Sequence, residues 1–105
     1  MVPQQQLQIL NQLFDMEKKL EKMDNVRSLA RNMRRIKGLF EELGLTLHNP
    51  LGEFYAETRT DCEATISGTS SENLVIKEVI KPLISMNIDG LPHIVQKAVV
   101  IVEGS

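Results

Sequence analysis

The chain has few of the residues on which many functional sites depend. Its 105 residues include one cysteine, one tyrosine, three phenylalanines and no tryptophan. The single cysteine, Cys62, cannot form an internal disulfide, which favours a reducing, cytoplasmic location. Few aromatic side chains are present on which nucleic-acid bases could stack. The core must therefore come from Leu, Ile, Val and Met, a composition that suits contacts between helices.

Charge of one sign and long apolar runs are lacking as well. The formal net charge is −2, and no segment approaches the ~18 consecutive apolar residues of a membrane span. Residues 1–50 carry eight basic and six acidic side chains, whereas residues 51–105 carry four and eight. A nucleic-acid-binding protein usually shows a strongly basic domain or stripe. Neither a membrane nor a nucleic acid is therefore the expected partner.

The sequence offers little material for catalysis or metal binding. His48 and His93 are far apart, and neither has a cysteine or carboxylate at metal-ligand spacing on one element. Cys62 is interpreted as a small buried hydrophobic residue, and the six glycines are scattered singly instead of forming a phosphate loop. We expect no enzyme, no metal site and no cofactor.

Residues 3–43 show apolar residues at helical spacing. The first predicted helix begins at Pro3, a favoured first-turn residue, and carries two apolar stripes about 120° apart. One stripe contains Ile9, Leu13, Met16, Leu20 and Met23, and the other contains Leu7, Leu10 and Phe14. A helix that is apolar on two sides requires two neighbours.

The second predicted helix follows the Asp24-Asn25 pair, either of which can cap its first turn, and ends at Gly44. Its apolar residues, three and four positions apart, are Val26, Leu29, Met33, Ile36, Phe40 and Leu43.

Two helices joined by a turn cannot bury three apolar stripes between themselves. Two copies of the hairpin can, and the pattern therefore predicts a homodimer packed as a four-helix bundle. The predicted interface residues are Leu7, Leu10, Leu13, Phe14, Leu20, Met33, Ile36 and Phe40. The alternative is a monomer in which the second half of the chain covers the extra stripe.

The second half reads as a small all-β domain. Strands are predicted at residues 45–47 and 62–66, within 74–84, and at 98–102. The segment 74–84 would also fit one face of a helix, but its β-branched residues and Pro82 favour a strand. Asp89-Gly90 is a hairpin-type turn. The predicted fold class is α+β, with a helical hairpin over residues 1–44 and a β domain over 45–105.

One basic cluster lies on the second predicted helix, opposite its apolar stripe. Its members are Arg27, Arg31, Arg34, Arg35 and Lys37, and no acidic residue lies between Asp24 and Glu41. The cluster is either a solvated outer face or a docking stripe for an acidic partner or for phosphates. The acidic second half of the chain favours a protein partner over DNA.

The order of these features resembles GrpE, the nucleotide-exchange factor of the DnaK chaperone. The matching stretches are Leu39-Phe40-Glu41-Glu42-Leu43-Gly44-Leu45, Gly52-Glu53-Phe54-Tyr55 with Glu63-Ala64 eleven and twelve residues after the glycine, Val75-Ile76-Lys77-Glu78-Val79-Ile80-Lys81-Pro82, and Gln96-Lys97-Ala98-Val99-Val100-Ile101-Val102. Family members usually carry a long N-terminal helix before the bundle. This sequence thus matches either a divergent paralogue or a fragment that retains the bundle and the β domain.

The resemblance implies a dimeric co-chaperone whose β domain projects as a wing and binds the ATPase domain of a DnaK-type chaperone. Such a protein promotes ADP release and catalyses no reaction. The implied chaperone contacts are Ile80, Lys81, Pro82, Asn87, Asp89, Gly90 and Val102. Two alternatives stay open: a dimeric scaffold or adaptor protein without exchange activity and, as the weaker one, nucleic-acid binding through the Arg27 to Lys37 face.

Overall fold

A computed structural model describes residues 4–24 and 27–104 and has the predicted α+β class. The described elements are α1 (Gln4–Leu20), α2 (Arg27–Glu42), β1 (Leu45–His48), β2 (Cys62–Ser67), β3 (Val75–Lys81), β4 (Leu83–Ile88), β5 (Leu91–Gln96) and β6 (Ala98–Glu103). The predicted helix start at Pro3 and the predicted positions of Asn25 and Val26 lie outside the described residues.

The chain divides into two compact units. The helical unit comprises the residues up to Leu47 together with Ser85–His93, and the β unit comprises His48–Ile84 together with the residues from Ile94 onward. Strands β4 and β5 contribute residues to both units. The boundary between residues 44 and 45 stays a prediction.

In the helical unit, α1 supplies most of the buried apolar side chains. Leu7, Leu10, Leu13 and Phe14 are all buried, whereas α2 buries Met33 alone among its described residues. Lys37 Nζ lies 3.0 Å from Glu17 Oε2 and links the two helices. Three of the four buried α1 residues belong to the second stripe of the sequence pattern, so that stripe faces the core of the unit.

Gly44 ends α2 in the manner that its sequence position indicates. Its φ of 89° lies in the left-handed region, and its amide donates to the carbonyl of Glu41 at 2.9 Å. Glycine adopts this conformation without the steric penalty of a Cβ atom. The prediction of a glycine C-terminal cap is confirmed.

The strands form two three-stranded sheets, in the orders β1-β4-β5 and β2-β6-β3. The two residues Asp89 and Gly90 connect β4 to β5 and have φ values of 52° and 82°. Positive φ at both positions is typical of the type I′ turn of a tight hairpin. The hairpin turn predicted from Asp89-Gly90 is confirmed.

The final strand, β6, lies in the middle of the second sheet. It pairs in parallel with β2 and antiparallel with β3. Two register shifts in β3, at Ile76/Glu78 and at Val79/Lys81, keep the buried residues of β3 opposite those of β6. The buried residues of this sheet are Cys62, Ile76, Val79, Ala98, Val100 and Val102. These positions form its inner face, because paired residues in neighbouring strands point to the same side.

Candidate functional site

The seven predicted chaperone contacts are divided between the two units. Asn87, Asp89 and Gly90 are exposed residues of the helical unit. The other four belong to the β unit, where Ile80 and Lys81 are exposed and Pro82 and Val102 are buried. Lys81 pairs with Val99, on the face opposite to Val102. The β-unit residues of this set therefore do not form one surface.

The predicted dimer-interface residues are mostly covered within one chain. Leu7, Leu10, Leu13, Phe14 and Met33 are buried, Leu20 and Phe40 are half-buried, and Ile36 is exposed. A buried side chain has little surface left to offer a partner.

A different set of apolar side chains in the helical unit is open to solvent, and it recurs at intervals of seven residues. We call this set the open seam, and it consists of Ile9, Met16 and Met23 in and just after α1 and Leu29, Ile36 and Leu43 in and just after α2. Their exposed fractions range from 40% to 67%. Seven-residue spacing places the members on one side of each helix.

The open seam borders a groove between the two helices. The groove has a volume of about 560 Å³ and is lined by Ile9, Leu13, Met16, Met33 and Ile36, together with three glutamines of α1. A second cavity of about 300 Å³ shares Met16, Met33 and Ile36 and extends to Leu29. The two cavities together form an apolar groove between α1 and α2 that is open to solvent.

The four arginines of the basic cluster of α2 lie away from the open seam. Arg27, Arg31, Arg34 and Arg35 are exposed and have no ion-pair partner among the residues that the structure describes. The fifth member, Lys37, is paired with Glu17.

In the β unit, Arg59 lies at the centre of a group of ion pairs. Its Nε and Nη2 donate to the two carboxylate oxygens of Asp61 at 2.6 and 3.3 Å, and Nη2 also donates to Glu53 Oε1 at 2.6 Å. Nη1 donates to the carbonyl oxygen of Phe54 at 2.9 Å. His48 Nε2 lies 2.5 Å from the other oxygen of Glu53. We call Arg59, Glu53, Asp61 and the Phe54 carbonyl the Arg59 cluster.

These contacts change the acidity of the groups involved. The hydrogen bond from Arg59 lowers the pKa of Glu53 and of Asp61, and the hydrogen bond to Asp61 raises the pKa of Arg59. Burial raises the pKa of the neighbouring Cys62 thiol, which thus keeps its proton at neutral pH. The Arg59 cluster ties Glu53, Phe54 and Asp61 of one loop together.

The loop that Arg59 holds exposes an aromatic ring. The side chain of Phe54 is 78% exposed, more than any other large apolar side chain in the described part of the chain. Its backbone is fixed on both sides, since the Ile76 amide donates to the Glu53 carbonyl and the Tyr55 amide donates to the Leu74 carbonyl, both at 2.9 Å. Phe54 itself forms an antiparallel bridge with Val75.

Across residues 4–24 and 27–104, no group of three or more His, Cys, Asp or Glu side chains is placed to hold a metal ion. None of the described helices has the length and apolar character needed to cross a membrane. Cys62 is buried, as predicted.

Comparison of the chain with protein-family models, with curated proteins and with solved structures finds no match. The resemblance to GrpE consequently stays a prediction from the residues.

Sequence reasoning missed the Arg59 cluster and the exposed Phe54. A signal for the cluster was present, because Arg59 is the one basic residue among Glu53, Glu57, Asp61 and Glu63. The exposure of Phe54 had no such signal, since an aromatic residue in a short apolar stretch is more often buried.

Proposed function

We propose that this chain is a GrpE-like nucleotide-exchange factor, a homodimer that binds the ATPase domain of a DnaK-type chaperone and promotes ADP release. The observation that carries the proposal is the open seam on a helical hairpin that continues into a small β unit. A hairpin whose exposed apolar residues recur every seven positions on both helices is suited to pairing with its own copy.

The dimer contact proposed here runs along the open seam. Burying a large apolar side chain contributes about 1.5–3 kcal/mol, and these six residues are roughly half exposed, so each contributes about 1 kcal/mol when covered. The arginines on the other side of α2 stay in solvent in this arrangement. A four-helix bundle and a projecting wing follow from the same proposal.

The proposed mechanism is differential binding. If the protein binds the open, nucleotide-free conformation of the ATPase domain better than the closed conformation with ADP, it must weaken nucleotide affinity by the same factor. No bond is made or broken, and the chain needs no cofactor for this role. The partner and the cytoplasmic location are parts of the proposal.

The test is the release of a fluorescent ADP analogue from the ATPase domain of a DnaK-type chaperone of the same organism. We expect micromolar dimer to accelerate release, in proportion to the fraction of ATPase domain bound. If the protein accelerates ADP release from none of these chaperones of the organism, the proposal is refuted. A stable complex with some other protein, together with an unchanged rate of ADP release in the exchange assay, would instead favour a dimeric scaffold.

A further inference from the structure

The charges of α2 are arranged against the stability of that helix. Over Arg27–Glu42, the first turn carries no acidic residue and the last turn carries no basic residue. Instead, Arg27 is the first residue of the helix, and Glu41 and Glu42 are the last two. The partial positive charge of a helix N-terminus disfavours a cation there, and the partial negative charge of the C-terminus disfavours anions. The charges of α2 therefore do not serve the helix itself.

Four arginines lie on one side of α2. Arg27, Arg31, Arg34 and Arg35 fall within an arc of about 100°, and all four are exposed. None of them is ion-paired within the part of the chain that the structure describes. They extend over about 12 Å of the helix, given the rise of each residue. A row of unpaired guanidinium groups is suited to binding carboxylates or phosphates.

Gly38 lies on the same side of the helix, four residues after Arg34. Glycine in a helix interior is less stable than alanine. Outside the adjoining backbone of α2, nothing in the described chain lies within 4 Å of a Cβ position at Gly38, so packing does not require a glycine there. The missing side chain lets another backbone approach α2 closely. We call Arg27, Arg31, Arg34, Arg35 and Gly38 the arginine stripe.

The arginine stripe is accessible in the proposed dimer. Leu29 and Ile36 of the open seam lie on a different side of α2, so a second copy that covers them leaves the arginines exposed. The reversed end charges, the unpaired arginines and the glycine are all unfavourable or neutral for the isolated helix. Departures from local stability of this kind are expected at functional sites.

We propose that the arginine stripe is a docking surface for an acidic α-helix of a partner protein. The partner helix presents carboxylates on one face at intervals of three and four residues, which match the spacing of the arginines. Its backbone crosses α2 close to Gly38, where no side chain separates the two helices. This contact is separate from the open seam, and it does not depend on the proposed function.

A nucleic acid fits this side of α2 less well than an acidic helix does. Glu41 and Glu42 follow Arg34 and Arg35 by seven residues and lie on the same side, so the charge changes sign at the C-terminal end. A phosphate backbone is negative over its whole length and would meet these two carboxylates. The net charge of −2 and the few aromatic residues also disfavour a nucleic acid.

A second copy of this chain compensates the arginine stripe only in part. In a two-fold contact between two such sides of α2, the four arginines of each copy would face the two glutamates of the other, Glu41 and Glu42. Half of the arginines would lack a carboxylate. A more acidic partner helix supplies one for each.

The probe for the test is a fluorescent, alanine-rich helical peptide with four glutamates on one face. The reference is an isomer in which the same glutamates are distributed around the helix. Fluorescence anisotropy with the full chain gives both affinities at about 50 mM and about 300 mM salt. We expect the one-face peptide to bind at least about fivefold more tightly than the isomer at the lower salt, and to lose most of its binding at the higher salt.

Three full-chain variants locate the contact. Arg31→Gln/Arg35→Gln should weaken binding of the one-face peptide at least about fivefold, because two of four charge pairs are removed. The control, Lys19→Gln/Lys22→Gln, removes the same charge at exposed positions near the end of α1 and should change binding less than about twofold. Gly38→Gln should weaken binding without lowering the melting temperature, because glutamine favours a helix more than glycine does but obstructs the close approach.

Four results would overturn the inference. These are equal affinity for the two peptides, unchanged binding by the double arginine variant, unchanged binding by Gly38→Gln, and tighter binding of a single-stranded oligonucleotide than of the one-face peptide at the same salt. The last result would assign the stripe to a nucleic acid.

A lower molecular mass of the double arginine variant in light scattering would assign the stripe to a second copy and would also overturn the inference. None of these measurements involves ADP release. Failure of the exchange assay would therefore refute the proposed function and leave this inference intact.

Discussion

At the scale of single residues, Arg59 connects several parts of one loop of the β unit. It joins Glu53, Asp61 and the carbonyl of Phe54 through four hydrogen bonds. The side chain is only 20% exposed, so solvent screens these contacts less than at an open surface. These bonds hold Glu53, Phe54 and Asp61 in a defined arrangement.

Replacement of Arg59 by methionine should destabilise the protein by about 1–2 kcal/mol at pH 7, and less at low pH. The lowered pKa values of Glu53 and Asp61 mean that the folded state binds their protons more weakly than the unfolded chain does. Their contribution is therefore present above the unfolded pKa of about 4 and is lost as the pH falls through the folded values. Urea unfolding between pH 3 and pH 7 measures the difference.

The control is Arg35→Met, which removes an exposed arginine that has no ion pair among the described residues. It should leave stability unchanged at every pH. An equal loss of stability at pH 3 and pH 7 for Arg59→Met would show that packing of the side chain, and not its ion pairs, stabilises the loop.

Gly44 and Gly38 provide a second test at this scale, since Gly44 has a left-handed backbone conformation and Gly38 lies in the α-helix α2. Gly44→Ala should cost about 1–2 kcal/mol, because φ is 89° and a residue with a Cβ atom disfavours this left-handed conformation. Gly38→Ala should stabilise by about 0.5–1 kcal/mol, because Gly38 is helical and nothing lies within 4 Å of its Cβ position. Thermal unfolding of both variants checks the signs, and destabilisation by Gly38→Ala would contradict the open space there.

At the scale of the elements, the sequence identified both helices and the strands β1, β2, β3 and β6. It predicted one strand within residues 74–84, where the structure has β3 and the start of β4, and it did not predict β5. The 3-4 spacing and Gly44 predict α2, and Pro82 separates β3 from β4 in a segment whose apolar pattern also fits a helix. Position in the sheet could not be predicted in the same way. The last strand, β6, pairs with β2 and β3 across long stretches of chain, and such pairing leaves no local signature in the sequence.

The same limit applies to the apolar stripes of α1. Sequence spacing shows that two stripes exist, but both are leucine- or methionine-rich and either could face the core. The structure buries Leu7, Leu10 and Phe14 and leaves Ile9 and Met16 exposed. Which stripe is left for a partner depends on what the rest of the chain packs against.

The open seam gives a prediction for the paired helices. Ile36→Glu should convert the proposed dimer to a monomer, because a carboxylate would be buried in an apolar contact without a partner. Arg31→Gln is the control, since it changes the charge by the same amount at an exposed position on the opposite side of α2. Light scattering at low micromolar concentration gives the masses, and an unchanged dimer mass for Ile36→Glu would exclude the open seam as the interface.

At the scale of the whole molecule, folding and association should be coupled. The helical unit leaves six large apolar residues of the open seam exposed in a single chain. If a second copy covers them, each tenfold rise in protein concentration adds about 1.4 kcal/mol to stability and raises the melting temperature by about 3–6 °C. Thermal unfolding of the unaltered protein and of Ile36→Glu at 2, 20 and 200 µM measures how the melting temperature depends on concentration. A melting temperature that does not depend on concentration would identify a monomer.

The candidate binding surfaces could be predicted from the sequence only in part. Heptad spacing predicts a partner for the helices, and this partner belongs to the proposal. The exposure of Phe54 and the burial of Val102 could not be predicted, since both belong to short apolar stretches that alternate between two faces.

The sequence by itself determined the α+β class, the helical hairpin, the glycine cap and the hairpin turn, because each depends on residues that are close together in the chain. Only the tertiary structure decided which stripe of α1 is buried, which strand lies at the centre of the sheet and which aromatic ring faces solvent. Those outcomes depend on contacts between distant residues. Several apolar surfaces can fill the same core, and burial of any of them is favourable. Which of them is buried depends on contacts that form only when the whole chain is folded.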